Sequence, residues 1–106
     1  MQIGLINDAR FAENYIRSRR TKGYGPLRIH RELQAHGIAD EVIAEHLKIT
    51  DNAWIVEAHS IFRKRFKASK LTDFKERAKL MRFLQYRGFT QGQISSALGW
   101  DAIEED

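Results

Sequence analysis

The chain has 106 residues, 18 Lys/Arg against 14 Asp/Glu, a net charge of +4 and no cysteine; the missing cysteine excludes a disulfide framework and thiolate metal ligands within it, and a core this limited argues against a separate catalytic domain among these residues. No apolar run approaches the roughly 18 residues of a bilayer span, and MQIGLINDAR lacks the basic-then-apolar layout of a secretory signal, so we expect a cytoplasmic protein with no membrane contact. Residues 58–98 carry ten Lys/Arg and two acids, while 38–57 and the last eight residues are acidic; a local field of this kind suits a polyanion or an acidic protein face, although an ordinary solvated helical surface also accounts for a charge run.

Apolar spacing is helical nearly everywhere, with one proline and no alternating strand pattern, so the fold class is all-α. The first helix is expected over about 8–21, with Asn7 or Asp8 as its cap and Ala9, Phe11, Ala12, Tyr15 and Ile16 on its apolar side. Arg17, Arg19, Arg20 and Lys22 crowd its C-terminal end, where cations complement the helix dipole. Gly23, Tyr24 and Gly25 break the chain, and Pro26 suits the first turn of a second helix to about 36. That helix turns Leu27, Ile29, His30 and Leu33 inward and stops at Gly37 in a left-handed conformation. The third helix runs from about 40 to 48 on Val42, Ile43, His46 and Leu47.

Asp51 caps a fourth helix, about 52–67, whose buried side is Trp54, Ile55, Ala58, Ile61, Phe62 and Phe66. A polar connection follows at 67–73. The fifth helix covers about 73–87 on Leu80, Phe83 and Leu84, opened by an Asp73–Glu76 capping box or by Thr72, and closed by Gly88. Thr90 and Gln93 offer a second capping box to the last helix, about 91–98, with Ile94, Ala97 and Leu98 inward and Gly99 as its stop. Trp100 either covers the end of the module or is a packed tail.

Residues 27–47 and 78–98 repeat one another. A shift of 51 pairs Leu33 with Leu84, Gln34 with Gln85, Gly37 with Gly88, Ile43 with Ile94 and Leu47 with Leu98. A shift of 46 pairs Ala12, Ile16, Arg17 and Arg19 with Ala58, Phe62, Arg63 and Arg65. The expected architecture is therefore two tandem three-helix repeats packed side by side, one within 1–49 and one within 50–106 with an acidic tail, each too small to bury much alone.

DARFAENYIRSR followed by KGYGPLRIHREL and LQAHGI resembles the bacterial RecX family of regulatory proteins, and FLQYRGFTQGQISSAL resembles the close of that family's last repeat. The resemblance covers roughly residues 4–99, with KGYGP at Lys22 to Pro26 its most distinctive piece. It implies tandem three-helix repeats, usually three. It further implies docking in the groove of the RecA filament on single-stranded DNA, limiting filament growth, strand exchange and coprotease activity, and so a place in recombination, repair and the SOS response. It implies no cofactor. With two repeats here, we expect the middle and last ones, with Gly4, Leu5 and Ile6 as the tail of a preceding repeat and Met1 an artificial start.

Two basic groups are the candidate contacts to RecA or DNA. The first is Arg17, Arg19, Arg20, Lys22 and Arg28 around the GYGP turn, with Tyr24 as a stacking aromatic or as packing over the helix junction. The second is Arg63, Lys64, Arg65, Lys67 and Lys70, continued by Lys75, Arg77, Lys79 and Arg82. Arg suits bidentate contacts to phosphate, and each phosphate contact steepens the salt dependence of binding; dipole complementation and solubility explain basic helix ends equally well. Double-stranded DNA stays open as a further ligand, and the chain is expected to act as a monomer. His30, His36, His46 and His59 lack metal-ligand spacing, no Walker lysine motif exists, and Ser95 and Ser96 have no base beside them, so neither a metal site nor an enzyme is expected.

Two other classes remain. A helix-turn-helix DNA binder fits the outline of 25–36 and 40–48, against the charge of Asp40, Glu41 and Glu45. The uncharged last helix, with Gln91, Gln93 and Ser95, escapes that objection. A purely protein-binding helical scaffold is the third option.

Overall fold

The structure, a computed structural model, describes residues 3–65 and 74–99; for 3–6, 65 and 74 it describes the backbone alone. Among the described residues six helices follow one another: α1 (Ile3–Thr21), α2 (Pro26–Ala35), α3 (Asp40–His46), α4 (Ala53–Arg65), α5 (Phe74–Arg87) and α6 (Gln91–Leu98). No strand occurs among the described residues. α1 packs on α2 and α3, and α6 packs on α4 and α5, giving two tandem three-helix repeats in an elongated body of 55 × 23 × 16 Å.

The repeated positions are the core. Ile29, Leu33, Ile38, Ile43 and Leu47 are buried, and so are their counterparts Leu80, Leu84, Phe89, Ile94 and Leu98. Ala12 and Ile16 on α1 match Ala58 and Phe62 on α4, again all buried. The i, i+4 spacing of each pair places both side chains on one stripe of its helix. The two repeats share a single hydrophobic cluster. Trp54, the largest buried side chain among the described residues, meets Phe89 edge-on at 6.4 Å and donates its indole N–H to the Lys48 carbonyl at 2.9 Å. Gln93 is also buried, and its amide donates to the Ile49 carbonyl at 2.7 Å, so the link between repeats is held by side chains of the second.

The expected turns form. α2 and α5 end in the same motif: Gly37 (φ 85°) and Gly88 (φ 106°) are left-handed, and the next amide, Ile38 or Phe89, reaches back to the carbonyl of Leu33 or Leu84. Thr90 and Gln93 complete a reciprocal capping box on α6, and Asp51 accepts from the Ala53 amide at the start of α4.

Some expectations need correction. α1 begins at Ile3, so Asn7 and Asp8 lie inside it and do not cap it. α3 ends at His46, because Leu47 turns to extended backbone (φ −119°, ψ 102°) to enter the core. Leu27 and Phe11, expected inward, are each 39% exposed. Leu27 sits on the outer side of α2, opposite the Ile29–Leu33 stripe, while Phe11 stacks on Tyr15 and meets His36 edge-on at the surface. Phe66, the Thr72 or Asp73 cap, Trp100 and the acidic tail lie outside the described residues.

Candidate functional site

KGYGP, the most distinctive sequence piece, meets the YRGF stretch of FLQYRGFTQGQISSAL in space. Gly25 donates its amide to the Arg87 carbonyl at 2.7 Å, and Leu27 donates to the Gly88 carbonyl at 2.8 Å. The first amides of α2 and the last carbonyls of α5 have no partner within their own helices. Here they satisfy one another, positive helix end against negative. Pro26 stands between the two donors at N1, where a missing N–H costs nothing. The approach leaves no room for a side chain. A Cβ on Gly25 would lie 2.5 Å from the Gly88 carbonyl carbon, and one on Gly88 would lie 2.4 Å from the Arg28 Cβ. At Gly37, the matching turn of the first repeat, a Cβ would meet nothing.

Tyr24 sits beside this junction, and three guanidinium groups surround its ring. Arg19, Arg28 and Arg87 lie 4.0, 4.6 and 4.8 Å from its centroid, a geometry the ring quadrupole favours. Glu32 anchors two of them. Arg19 donates to it through two parallel bonds of 2.9 Å, Arg28 donates at 3.1 Å and the Tyr15 hydroxyl donates at 2.9 Å. Burial works to raise the Glu32 carboxyl, but the hydrogen bonds from Arg19, Tyr15 and Arg28 outweigh it and hold its pKa below the ordinary glutamate value. The bond to Glu32 raises the Arg19 and Arg28 guanidiniums further. Burial first, and then the bond to Glu32, raises the Tyr15 phenol. All of these groups keep their charge state at neutral pH. The cluster is therefore a fixed set of charges at neutral pH, with two more guanidiniums than carboxylates.

The expected contact residues separate into two kinds. Arg19, Arg20 and Arg28 are engaged within the molecule: Arg20 forms an ion pair with Glu57, with its guanidinium 4.3 Å from the Trp54 ring centroid. Tyr24 packs over the junction. Arg17, Lys22, Arg63, Lys64, Lys75, Lys79 and Arg82 are exposed. The Arg17 guanidinium donates to the Asn14 side-chain carbonyl at 3.3 Å, and the Lys79 ammonium stands 4.0 Å from the Glu76 carboxylate. Arg20, Lys22 and Lys64 line one recess together with Arg87. Arg28 and Arg31 lie beside the 73% exposed Tyr86. The side chain of Arg65, and all of Lys67 and Lys70, lie outside the described residues. Among the described residues, no group of His, Asp and Glu is arranged to hold a metal, and no helix is long and apolar enough to cross a membrane.

Sequence reasoning missed Arg87, Glu32, Glu57 and Tyr86. Arg87 was legible in principle: it replaces His36 of the first repeat next to the shared glycine, and a charge that breaks a repeat marks a position with a separate task.

The sequence is similar to that of known proteins. The chain matches two family models, described as the second three-helix domain of RecX over residues 7–47 and the third three-helix domain over 57–98. The chain belongs to the RecX family. Relatives include the regulatory protein RecX of Halorhodospira halophila, 41% identical over 97% of this chain and 63% of its own length. The regulatory protein RecX of Yersinia enterocolitica is 40% identical over 90% of this chain and 57% of its own length. That of Pseudomonas putida is 37% identical over 96% and 65%. The chain thus spans less than two thirds of the length of these RecX relatives. The two matched RecX domains contain, respectively, the KGYGP turn and the glycine against which it docks.

Proposed function

We propose that this chain is a regulatory binding module that restrains the RecA recombinase. It docks on the RecA filament around single-stranded DNA and limits filament growth, strand exchange and coprotease activity. It works by binding alone, as a cytoplasmic monomer, with no cofactor. The observation that carries this reading is membership of a regulatory family over both three-helix domains. The exposed cations of α1, α4 and α5 support it, because a nucleoprotein filament is a polyanion.

The helix-turn-helix alternative is weakened by the last helix. Gln93, which would have to read base edges, is 6% exposed and committed to the Ile49 carbonyl. α3 keeps Asp40, Glu41 and Glu45, which phosphates repel.

The direct test is RecA-driven ATP hydrolysis on a single strand, titrated with the purified chain. The rate should fall with increasing chain. An unchanged rate at large excess over RecA would overturn this chain as a sufficient inhibitor.

A further inference from the structure

Where α1 ends against α4 and α5, an open recess of about 420 Å³ lies between the repeats. Its lining includes four cations, Arg20, Lys22, Lys64 and Arg87, and one acid, Glu57, which leaves three positive charges uncompensated. Neither repeat makes this surface alone: Arg20 and Lys22 come from the first, Lys64 and Arg87 from the second. Ile61 and Phe83 add an apolar wall.

The two guanidiniums are already fixed. Arg87 donates through Nη1 to the Lys22 carbonyl at 2.9 Å and lies between the Tyr24 and Phe83 rings, 4.8 and 5.0 Å from their centroids. Arg20 spends Nε and Nη2 on Glu57. A guanidinium has five N–H groups, so each fork keeps donors for a ligand at little further entropic cost. Among the described residues, the Lys22 and Lys64 ammoniums have no ion pair. An anion entering the recess would meet preset forks and two mobile point charges.

We propose that this recess binds one nucleotide of a single strand, its phosphate held among Lys22, Lys64 and Arg87 and its base laid against Ile61 and Phe83. A carboxylate would satisfy the cations but leave the apolar wall empty. The volume falls in the lower part of the range for small-ligand clefts, roughly 300–1,000 Å³. A base reaches such a wall only when it is unstacked, which selects a single strand over a duplex. The proposal rests on the regulatory reading for the strand as partner, and it adds where that strand is gripped.

The test uses the whole chain without RecA. Isotope-labelled protein is titrated with a thymidine hexanucleotide, and amide and methyl shifts are followed. Perturbations should centre on Gly23, Lys22 and the Ile61 methyls. The double variant Lys22→Gln/Lys64→Gln removes no internal bond and should keep the melting temperature. It should lose those shifts, weaken binding about tenfold, and lower the salt slope by about 0.7 per phosphate released. Lys75→Gln/Lys79→Gln, on α5, should keep the shifts at Gly23 and Ile61. Shifts confined to other surfaces, or an unchanged salt slope in the first variant, would overturn the site. A hexaglutamate peptide that reproduces the Ile61 shifts with equal affinity would overturn the nucleotide assignment in favour of an acidic protein segment. Because RecA is absent, an empty recess leaves the ATP hydrolysis result to be judged by itself.

Discussion

Gly25 and Gly88 fasten the two repeats, and each does so because it has no side chain. Alanine at Gly25 would press on the backbone of Gly88 and Phe89, which has no rotamer through which to yield. Gly25→Ala should therefore lower stability by about 1–3 kcal/mol. Gly92, in the first turn of α6, where an added Cβ would meet nothing within 4 Å, is the control. Gly92→Ala should leave stability unchanged or raise it by up to ~1 kcal/mol. Equal effects of the two in urea unfolding would mean that the close approach contributes nothing. Glu32 makes a second prediction. Its folded pKa is depressed, so its contribution is complete above the ordinary glutamate range and is lost as pH falls through the lowered value. Glu32→Gln should cost about 1–3 kcal/mol at pH 7, with a deficit that shrinks in acid. A deficit of constant size from neutral to strongly acid pH would assign the loss to shape and not to charge. Arg19 and Arg28 were singled out in the sequence, and the carboxylate they share was not. Glu32 is 13 residues from Arg19, and only the folded α1–α2 corner brings the two within 2.9 Å.

At the level of elements, the glycine stops, the Pro26 start and the Thr90–Gln93 box were legible because each is local chemistry: a left-handed residue, a missing N–H, a hydroxyl three residues from a glutamine. Thr90→Ala removes the acceptor for the Gln93 amide and should cost ~1 kcal/mol; calorimetry showing an unshifted melting temperature would mean that the box adds no net stability. The start of α1 was misread for the same local reason. Asn7 and Asp8 have the side chains of a cap, but the helical conformation extends to Ile3, and propensity at a terminus does not decide where a helix begins. The docking of α2 on α5 left no local trace beyond two glycines. It is a tertiary event in which the exposed amides of one helix find the exposed carbonyls of another.

Across the whole molecule, the internal repeat carried most of the information. Residues matched at shifts of 51 and 46 became the paired core positions of two three-helix repeats. The repeat could not show how the two halves join, because the joint sets the shared glycine Gly88 against positions where the halves differ: Gly25 and Tyr24 in one, with Arg87 in the other. Since a single hydrophobic cluster runs through both repeats, they should unfold together. Melting followed by tryptophan fluorescence and by far-ultraviolet dichroism should give coincident transitions, and two separated transitions would show that the repeats are independent. The joint also shapes the distribution of charge, pairing Arg20 of the first repeat with Glu57 of the second and leaving Lys22, Lys64 and Arg87 around the recess between the repeats. The central claim is that this junctional cationic surface meets the RecA–DNA filament. Lysine cross-linking of the chain to an assembled filament, with the attached residues mapped, tests it most directly. Attachment concentrated at Lys22 and Lys64 is the result expected; attachment spread evenly over every lysine, or none at all, would contradict it.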